Sequence, residues 1–316
     1  MRKLFLKISF LILTIYFSGA SLYYFFPFKG MSADEDYMAA IIDKHKRLDS
    51  FKQPKIILVG GSNLAFGIDS KLLEQELSKP VVNMGLHVNL GLPFILNEVK
   101  ESIRDSDVII ISPEYYLGIG NYKLIRHTAE LYPPAKKYIS MSTAEVIYGR
   151  YEMFWDDLQR DVGHLQNVIL YFHNPDFVTK AESNSFIYRR TIFNEYGDVV
   201  AHLNKKQPAK YKTNGIKYKP YDDFITDMND FAVYVESKKA AVYFVYPPYP
   251  QSCRPEDKNH IRDFEKIISE KLTIKVISTP DDFLFPGYYF FNTSYHLNGT
   301  GRKKRTQKLI QLLKAF

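Results

Sequence analysis

Lys55-Ile56-Ile57-Leu58-Val59-Gly60-Gly61-Ser62-Asn63 is the stretch that decides the fold. Its apolar residues run consecutively instead of alternating, which is the pattern of a strand covered on both faces. The run breaks on two glycines and delivers a serine. A strand that turns sharply through Gly-Gly into a helix leaves the serine at the end of a rigid element. Nearby N–H groups stay free, and a substrate has room to come close. The same pattern also fits a plain connector, or a phosphate held at a helix N-terminus.

Working outward, short apolar segments alternate with helical ones. The first strand is read over Lys55 to Val59, with a helix at Ser70 to Leu77. Val81-Val82-Asn83-Met84-Gly85 gives a second strand, then a helix from Pro93 to Ile103. Val108-Ile109-Ile110-Ile111-Ser112 is a third strand, β-branched and apolar throughout. From about 117 to 221 the period lapses, which marks a large, partly helical insertion. The alternation then resumes with a helix at Phe224 to Ser237, a strand at Ala240 to Tyr246, and a helix at Asp257 to Lys271. A fifth strand at Thr273 to Ile277 and a closing helix at Leu297 to Leu313 complete it. Such alternation predicts an α/β fold: a three-layer α/β/α sandwich around a five-stranded parallel sheet, with the insertion after the third strand.

At 316 residues, with 46% hydrophobic and 24% charged residues, the chain is globular and not disordered. Residues 1–29 read as a membrane-directed segment, 30–54 as a linker with a helix, and 55–316 as the domain. Arg2, Lys3 and Lys7 precede the apolar run Ile8 to Phe17, which continues to Tyr23-Tyr24-Phe25-Phe26. That length suits a single spanning helix with its N-terminus in the cytoplasm and the domain outside. Ser18-Gly19-Ala20 also has the small residues of a signal-peptide cleavage site. An uncleaved anchor is favoured, because hydrophobicity does not fall after Ala20. Cys253 is the only cysteine, so no internal disulfide and no cysteine-based metal site can form.

The net charge of +7 is concentrated in the N-terminal flank and in Arg302-Lys303-Lys304-Arg305, Lys308 and Lys314. The latter group reads as the solvated face of a terminal helix, with Leu309, Leu312 and Leu313 on its other side. Export argues against a nucleic-acid partner.

In a parallel sheet, ligands bind beyond the carboxyl ends of the strands. Ser62, Gly85, Pro113-Glu114 and Tyr246-Pro247-Pro248 all fall at that edge. An acyl-transfer site needs a nucleophile, a base and oxyanion donors. Ser62 is the candidate nucleophile, and the N–H groups of Ser62 and Gly85 are candidate donors. His296, just ahead of a helix that Asn298 is placed to cap, is the candidate base.

Gly60-Gly61-Ser62-Asn63, Asn83-Met84-Gly85 and His296-Leu297-Asn298-Gly299-Thr300-Gly301 together resemble the first, second and last blocks of the SGNH/GDSL hydrolase superfamily. With its N-terminal anchor, the chain resembles exported members tied to acyl modification of surface polysaccharides. The resemblance implies the flavodoxin-like SGNH fold, a Ser62 nucleophile, a His296 base, and no metal or organic cofactor. It implies an ester of a surface glycan, or a small ester, as substrate, and a membrane acyltransferase as a possible partner.

Three departures bear on catalysis. Gly61 replaces the family's acid beside the nucleophile. The third strand ends in Ser112-Pro113-Glu114, without the family's oxyanion asparagine. The aspartate that orients the histidine would lie at Thr293, or one residue earlier at Asn292, and neither is charged. In serine-protease triads an aspartate-to-asparagine change lowers turnover about ten-thousand-fold, chiefly through the wrong histidine tautomer. Asp281, Asp282 or Glu114 is then expected to stand in, or a backbone carbonyl to hold His296 in a Ser–His dyad. The alternative is a catalytically silent binding or assembly component of a surface-glycan system.

Other features have plainer readings. Phe193 to Asp198 is a turn, and Asp198 with His202 at helical spacing is structural. His164 and His173 lack metal-ligand spacing.

Overall fold

The computed structural model describes residues 2–25, 32, 35–115, 118, 120–173, 187–205 and 221–315. β1 (Ile56–Gly60), β2 (Val81–Asn83), β3 (Val108–Ser112), β4 (Ala241–Phe244) and β5 (Lys275–Val276) form a five-stranded sheet, all parallel, in the order β2-β1-β3-β4-β5. The partners of β1 are β2 and β3, and β4 and β5 extend the sheet beyond β3. In register, Ile56 faces both Val81 and Val108, and Gly60 faces Ser112.

The consecutive apolar residues are explained by the two faces. Ile57, Val59, Ile109 and Ile111 enter one hydrophobic cluster. Their neighbours Ile56, Leu58 and Ile110 enter another. Because side chains alternate across a strand, a strand buried on both sides must be apolar at every position. The larger cluster is closed by α2 (Ala40–Ser50), α5 (Leu92–Lys100), α8 (Asp222–Ser237) and α9 (Arg254–Lys271). The smaller one is closed by α4 (Ser70–Leu77) and α10 (Gly299–Lys314). The result is the expected three-layer sandwich. The fifth strand is shorter than its sequence suggests, two residues at an edge where Lys275 is exposed.

From β1 the chain first moves to β2 on one side, then crosses to β3 on the other. The crevice between the carboxyl ends of β1 and β3 is therefore the topological switch point, the place where such sheets bind ligands. Ser62, the first residue of α3 (Ser62–Gly67), and Glu114 stand on its two sides.

The first part of the insertion is helical, with α6 (Tyr122–Leu131) and α7 (Thr143–His173). Residues 187–205 return to the sheet's carboxyl edge. Asn83 N–H donates to Tyr196 O (2.9 Å), and Val199 N–H donates to Ala65 O (2.8 Å). Asp198, fully buried, accepts from Ser70 Oγ (2.6 Å), Asn83 Nδ2 (2.8 Å) and Arg302 Nη2 (2.8 Å). Lys44 Nζ, also buried, donates to Asn83 O (2.8 Å) and Gly197 O (2.6 Å). Removing one member of such a buried charged network costs about 3–5 kcal/mol, so this segment is locked to the sheet.

α1 (Arg2–Phe25) carries exposed apolar side chains from Leu4 to Phe17. Among the described residues no helix is long and apolar enough to cross a membrane. The Tyr23 to Phe26 side chains, and those of His164 and His173, lie outside the described residues.

Candidate active site

Ser62 opens α3 directly after β1, half-buried at the switch point. Gly61 before it has φ −87° and ψ −155°, ordinary extended backbone. The turn therefore needs no left-handed residue, contrary to the expectation that glycine is there for its backbone angles. Space is the reason: a Cβ on Gly61 would lie 2.4 Å from Glu114 Oε2. At the first position of a helix the Ser62 N–H has no intrahelical acceptor, and it donates to nothing among the described residues.

His296 arrives from the far end of the chain. Phe290 and Leu297 form a bridge, Phe291 N–H donates to His296 O (2.7 Å), and Thr293 Oγ1 accepts from His296 N–H (3.1 Å). This closed loop ends at Asn298, which caps α10 by accepting from Thr300 and Gly301 N–H (both 3.1 Å). Phe66 of α3 stacks on the imidazole, with centroids 4.0 Å apart and planes 8° from parallel. The stack covers one face of the ring. His296 Nε2 lies 2.9 Å from Ser62 Oγ, although 234 residues separate them.

The other ring nitrogen, Nδ1, lies 2.8 Å from Asn292 Oδ1. The amide nitrogen of Asn292 faces away and donates to Tyr188 Oη at 2.6 Å. An amide oxygen can only accept, so Nδ1 carries the proton and Nε2 presents a lone pair to the serine hydroxyl. That is the tautomer a general base requires. The arrangement is a Ser–His–Asn relay, held at its far end by a tyrosine of the insertion.

Of the sequence candidates for orienting His296, Asn292 is the one in contact with the ring nitrogen. Thr293 shapes the loop through its hydroxyl. Asp281 pairs with Arg254. Asp282 caps its own short helix at Thr279 and meets Lys308 (2.9 Å). Glu114 packs under Gly61 and accepts from Asn63 N–H (3.0 Å), with no hydrogen bond to His296. No carboxylate therefore stands behind the histidine among the described residues.

Gly85 also differs from expectation. Its N–H donates to Asn83 Oδ1 (3.0 Å) in a turn that closes the end of β2, so it is not free for an oxyanion. The absence of a Cβ serves packing, since one would lie 2.6 Å from Leu64 Cβ and 2.7 Å from Gly61 O. Gly85 buttresses the nucleophile's turn.

Burial pulls the His296 pKa down to about 3, with the charges of His202 and His87 acting in the same direction. His202, buried beside Phe66, donates through Nε2 to Leu297 O (2.8 Å), and burial lowers it to about 4. It ties the insertion to the histidine loop.

Sequence reasoning missed Tyr188 and the two arginines of α10. Arg302 and Arg305 are buried, at 4% and 1% exposure, not on a solvated face. Arg305 donates to Asn63 O (2.8 Å), Asn63 Oδ1 (2.9 Å) and Ser112 Oγ (2.8 Å). A helical-period signal was present: 302, 305, 306, 309 and 310 share one face, with Leu309 and Ile310 buried on it. Arg189 and Arg190 pair with Glu35 (3.4 Å) and Asp43 (2.6 Å).

Among the described residues no cluster of His, Cys, Asp and Glu is placed to hold a metal ion. No protein-family model and no curated protein matches this chain.

Proposed function

We propose that this chain is a serine-dependent esterase or acyltransferase acting on acyl esters, acetyl foremost, of a cell-surface polysaccharide. The observation that carries the reading is the Ser62 Oγ to His296 Nε2 distance of 2.9 Å, with Asn292 Oδ1 behind the ring at 2.8 Å. Ser62 Oγ attacks the ester carbonyl while Nε2 takes its proton. Asn292 accepts from Nδ1–H and stabilises the imidazolium. The free N–H of Ser62 meets the developing oxyanion. Collapse breaks the ester C–O bond, and His296 returns its proton to the departing alcohol. Water, or a glycan hydroxyl, then attacks the acyl-serine by the same steps in reverse.

The substrate class rests on the resemblance to anchored SGNH proteins. The exposed apolar side chains of α1 are the reason to hold the domain at a membrane surface, outside the cytoplasm, beside a membrane acyl donor. The uncharged partner of His296 and its lowered pKa favour one other reading, a silent binding component.

The test is hydrolysis of a chromogenic acetyl ester, such as p-nitrophenyl acetate, by the full-length chain in detergent beside Ser62→Ala. Turnover that disappears in Ser62→Ala is the expected result. Equal turnover in both proteins would overturn the assignment.

A further inference from the structure

We propose that Glu114 is the positioning residue of the nucleophile's turn. Its carboxyl fills the side-chain space that Gly61 leaves open and holds the Asn63 N–H, leaving the Ser62 N–H to face the oxyanion. The inference rests on the reading of Ser62 as a nucleophile.

Two independent observations meet at this carboxyl. A Cβ on Gly61 would lie 2.4 Å from Oε2, 2.5 Å from Oε1 and 2.7 Å from Cδ of Glu114. Glycine and glutamate at these two positions are thus one unit, since a side chain at 61 would displace the carboxyl. The second observation is the clamp on Asn63. Its N–H goes to Glu114 Oε1, its C=O and Oδ1 to Arg305, and its Nδ2 to Ser112 O (2.8 Å). Every polar group of the residue after the serine is held. The peptide plane joining Ser62 to Asn63 is therefore fixed, and with it the place of the Ser62 Cα from which Oγ projects toward His296. A misplacement of about 1 Å at a reacting atom costs on the order of a hundredfold in rate.

Glu114 is 1% exposed, and its Oε2 has no hydrogen-bond partner among the described residues. Burial pushes its carboxyl up, against the hydrogen bonds from Asn63 and the charge of Arg305, which pull it down. The direction suits the place, because a full negative charge there would oppose an oxyanion forming at Ser62.

The test moves the acid across the pair. Labelling by a fluorophosphonate is timed in the full-length wild type, Glu114→Ala, Gly61→Asp and the double variant. Glu114→Ala is expected to lose roughly 30-fold in the inactivation step, with probe binding unchanged. Gly61→Asp alone, with two carboxyls in one space, is expected to lose at least as much. The double variant should return to within about threefold of wild type, since an aspartate at 61 starts where the carboxyl now lies. Additive losses in the double variant, or an unimpaired Glu114→Ala, would overturn the proposal.

Hydrogen exchange in a peptide spanning Ser62 and Asn63 separates this outcome from failure of the nucleophile reading. If wild-type Ser62 is not labelled, the reading fails. The positioning role then stands only if Glu114→Ala speeds exchange at Asn63 and the double variant restores it. Unchanged exchange would refute it.

Discussion

Asn292→Asp supplies the carboxylate that the site lacks. In the structure Asn292 Oδ1 takes the Nδ1 proton of His296 at 2.8 Å, and Nδ2 reaches Tyr188 Oη at 2.6 Å. An aspartate keeps both contacts, because the tyrosine hydroxyl reverses and becomes the donor. What changes is the strength of the bond to the imidazolium. Neutral hydrogen bonds contribute about 0.5–1.5 kcal/mol and those to charged groups about 1.5–3 kcal/mol. The difference, roughly 1–1.5 kcal/mol, is about tenfold in rate. Asn292 is exposed, so the new charge stays hydrated and the gain belongs at that modest level. The assay is the second-order rate of fluorophosphonate labelling, wild type against variant, at neutral pH. The reasoning would be falsified if the gain approached ten-thousandfold. A gain of that size is the signature of a wrong tautomer, which would mean that the wild-type amide turns its NH2 toward the ring. An unchanged or lowered rate would refute it from the other side, by showing that Nδ1 is not coupled to the reaction.

Two further predictions follow from the same contacts. Tyr188→Phe removes the acceptor that holds the Asn292 amide, so labelling should fall about tenfold in the wild type but less than about threefold in an Asn292→Asp background, where no amide can rotate. Equal losses in the two backgrounds would separate Tyr188 from the tautomer. The two lowered histidines make folding acid-sensitive. Between about pH 3 and 6.5 for His296, and about 4 and 6.5 for His202, the unfolded chain binds a proton that the folded chain refuses. Stability should rise with pH across that window, by up to about 1.4 kcal/mol per pH unit for each group. His202→Gln should lower the slope in urea titrations between pH 4.5 and 6, and an unchanged slope would contradict the burial argument.

The sheet was legible because its physics is local. Ile56 to Val59 and Val108 to Ile111 are apolar at every position because both faces are covered, and that pattern survives in the sequence. Topology then carried Ser62 to the carboxyl edge, and the cap at Asn298 fixed the loop that delivers His296 to the same place. What was not legible depends on where single hydrogens and side-chain tips go. The Gly85 N–H is free in the pattern but taken by Asn83 in the fold, a choice made within two residues that no periodicity records. Glu114 looked like a spare acid for the histidine, yet the space left by Gly61 draws it under the serine instead. Arg302 and Arg305 sit in a basic run that reads as surface, and their partners Asp198 and Asn63 are more than a hundred residues away in the chain. Tyr188 comes from a stretch with no period at all. It is found only because residues 187–205 are locked back onto the sheet edge by Lys44 and Asp198.

The strand–Gly–Gly–Ser turn is the centre of this account, and its most direct test is where a fluorophosphonate attaches. Full-length protein would be treated with the probe, digested, and the adduct mapped by mass spectrometry beside Ser62→Ala and His296→Ala. A single adduct on Ser62, absent in Ser62→Ala and slowed at least about a hundredfold in His296→Ala, is the predicted result. An adduct on another residue, or none on a folded wild-type chain, would contradict it.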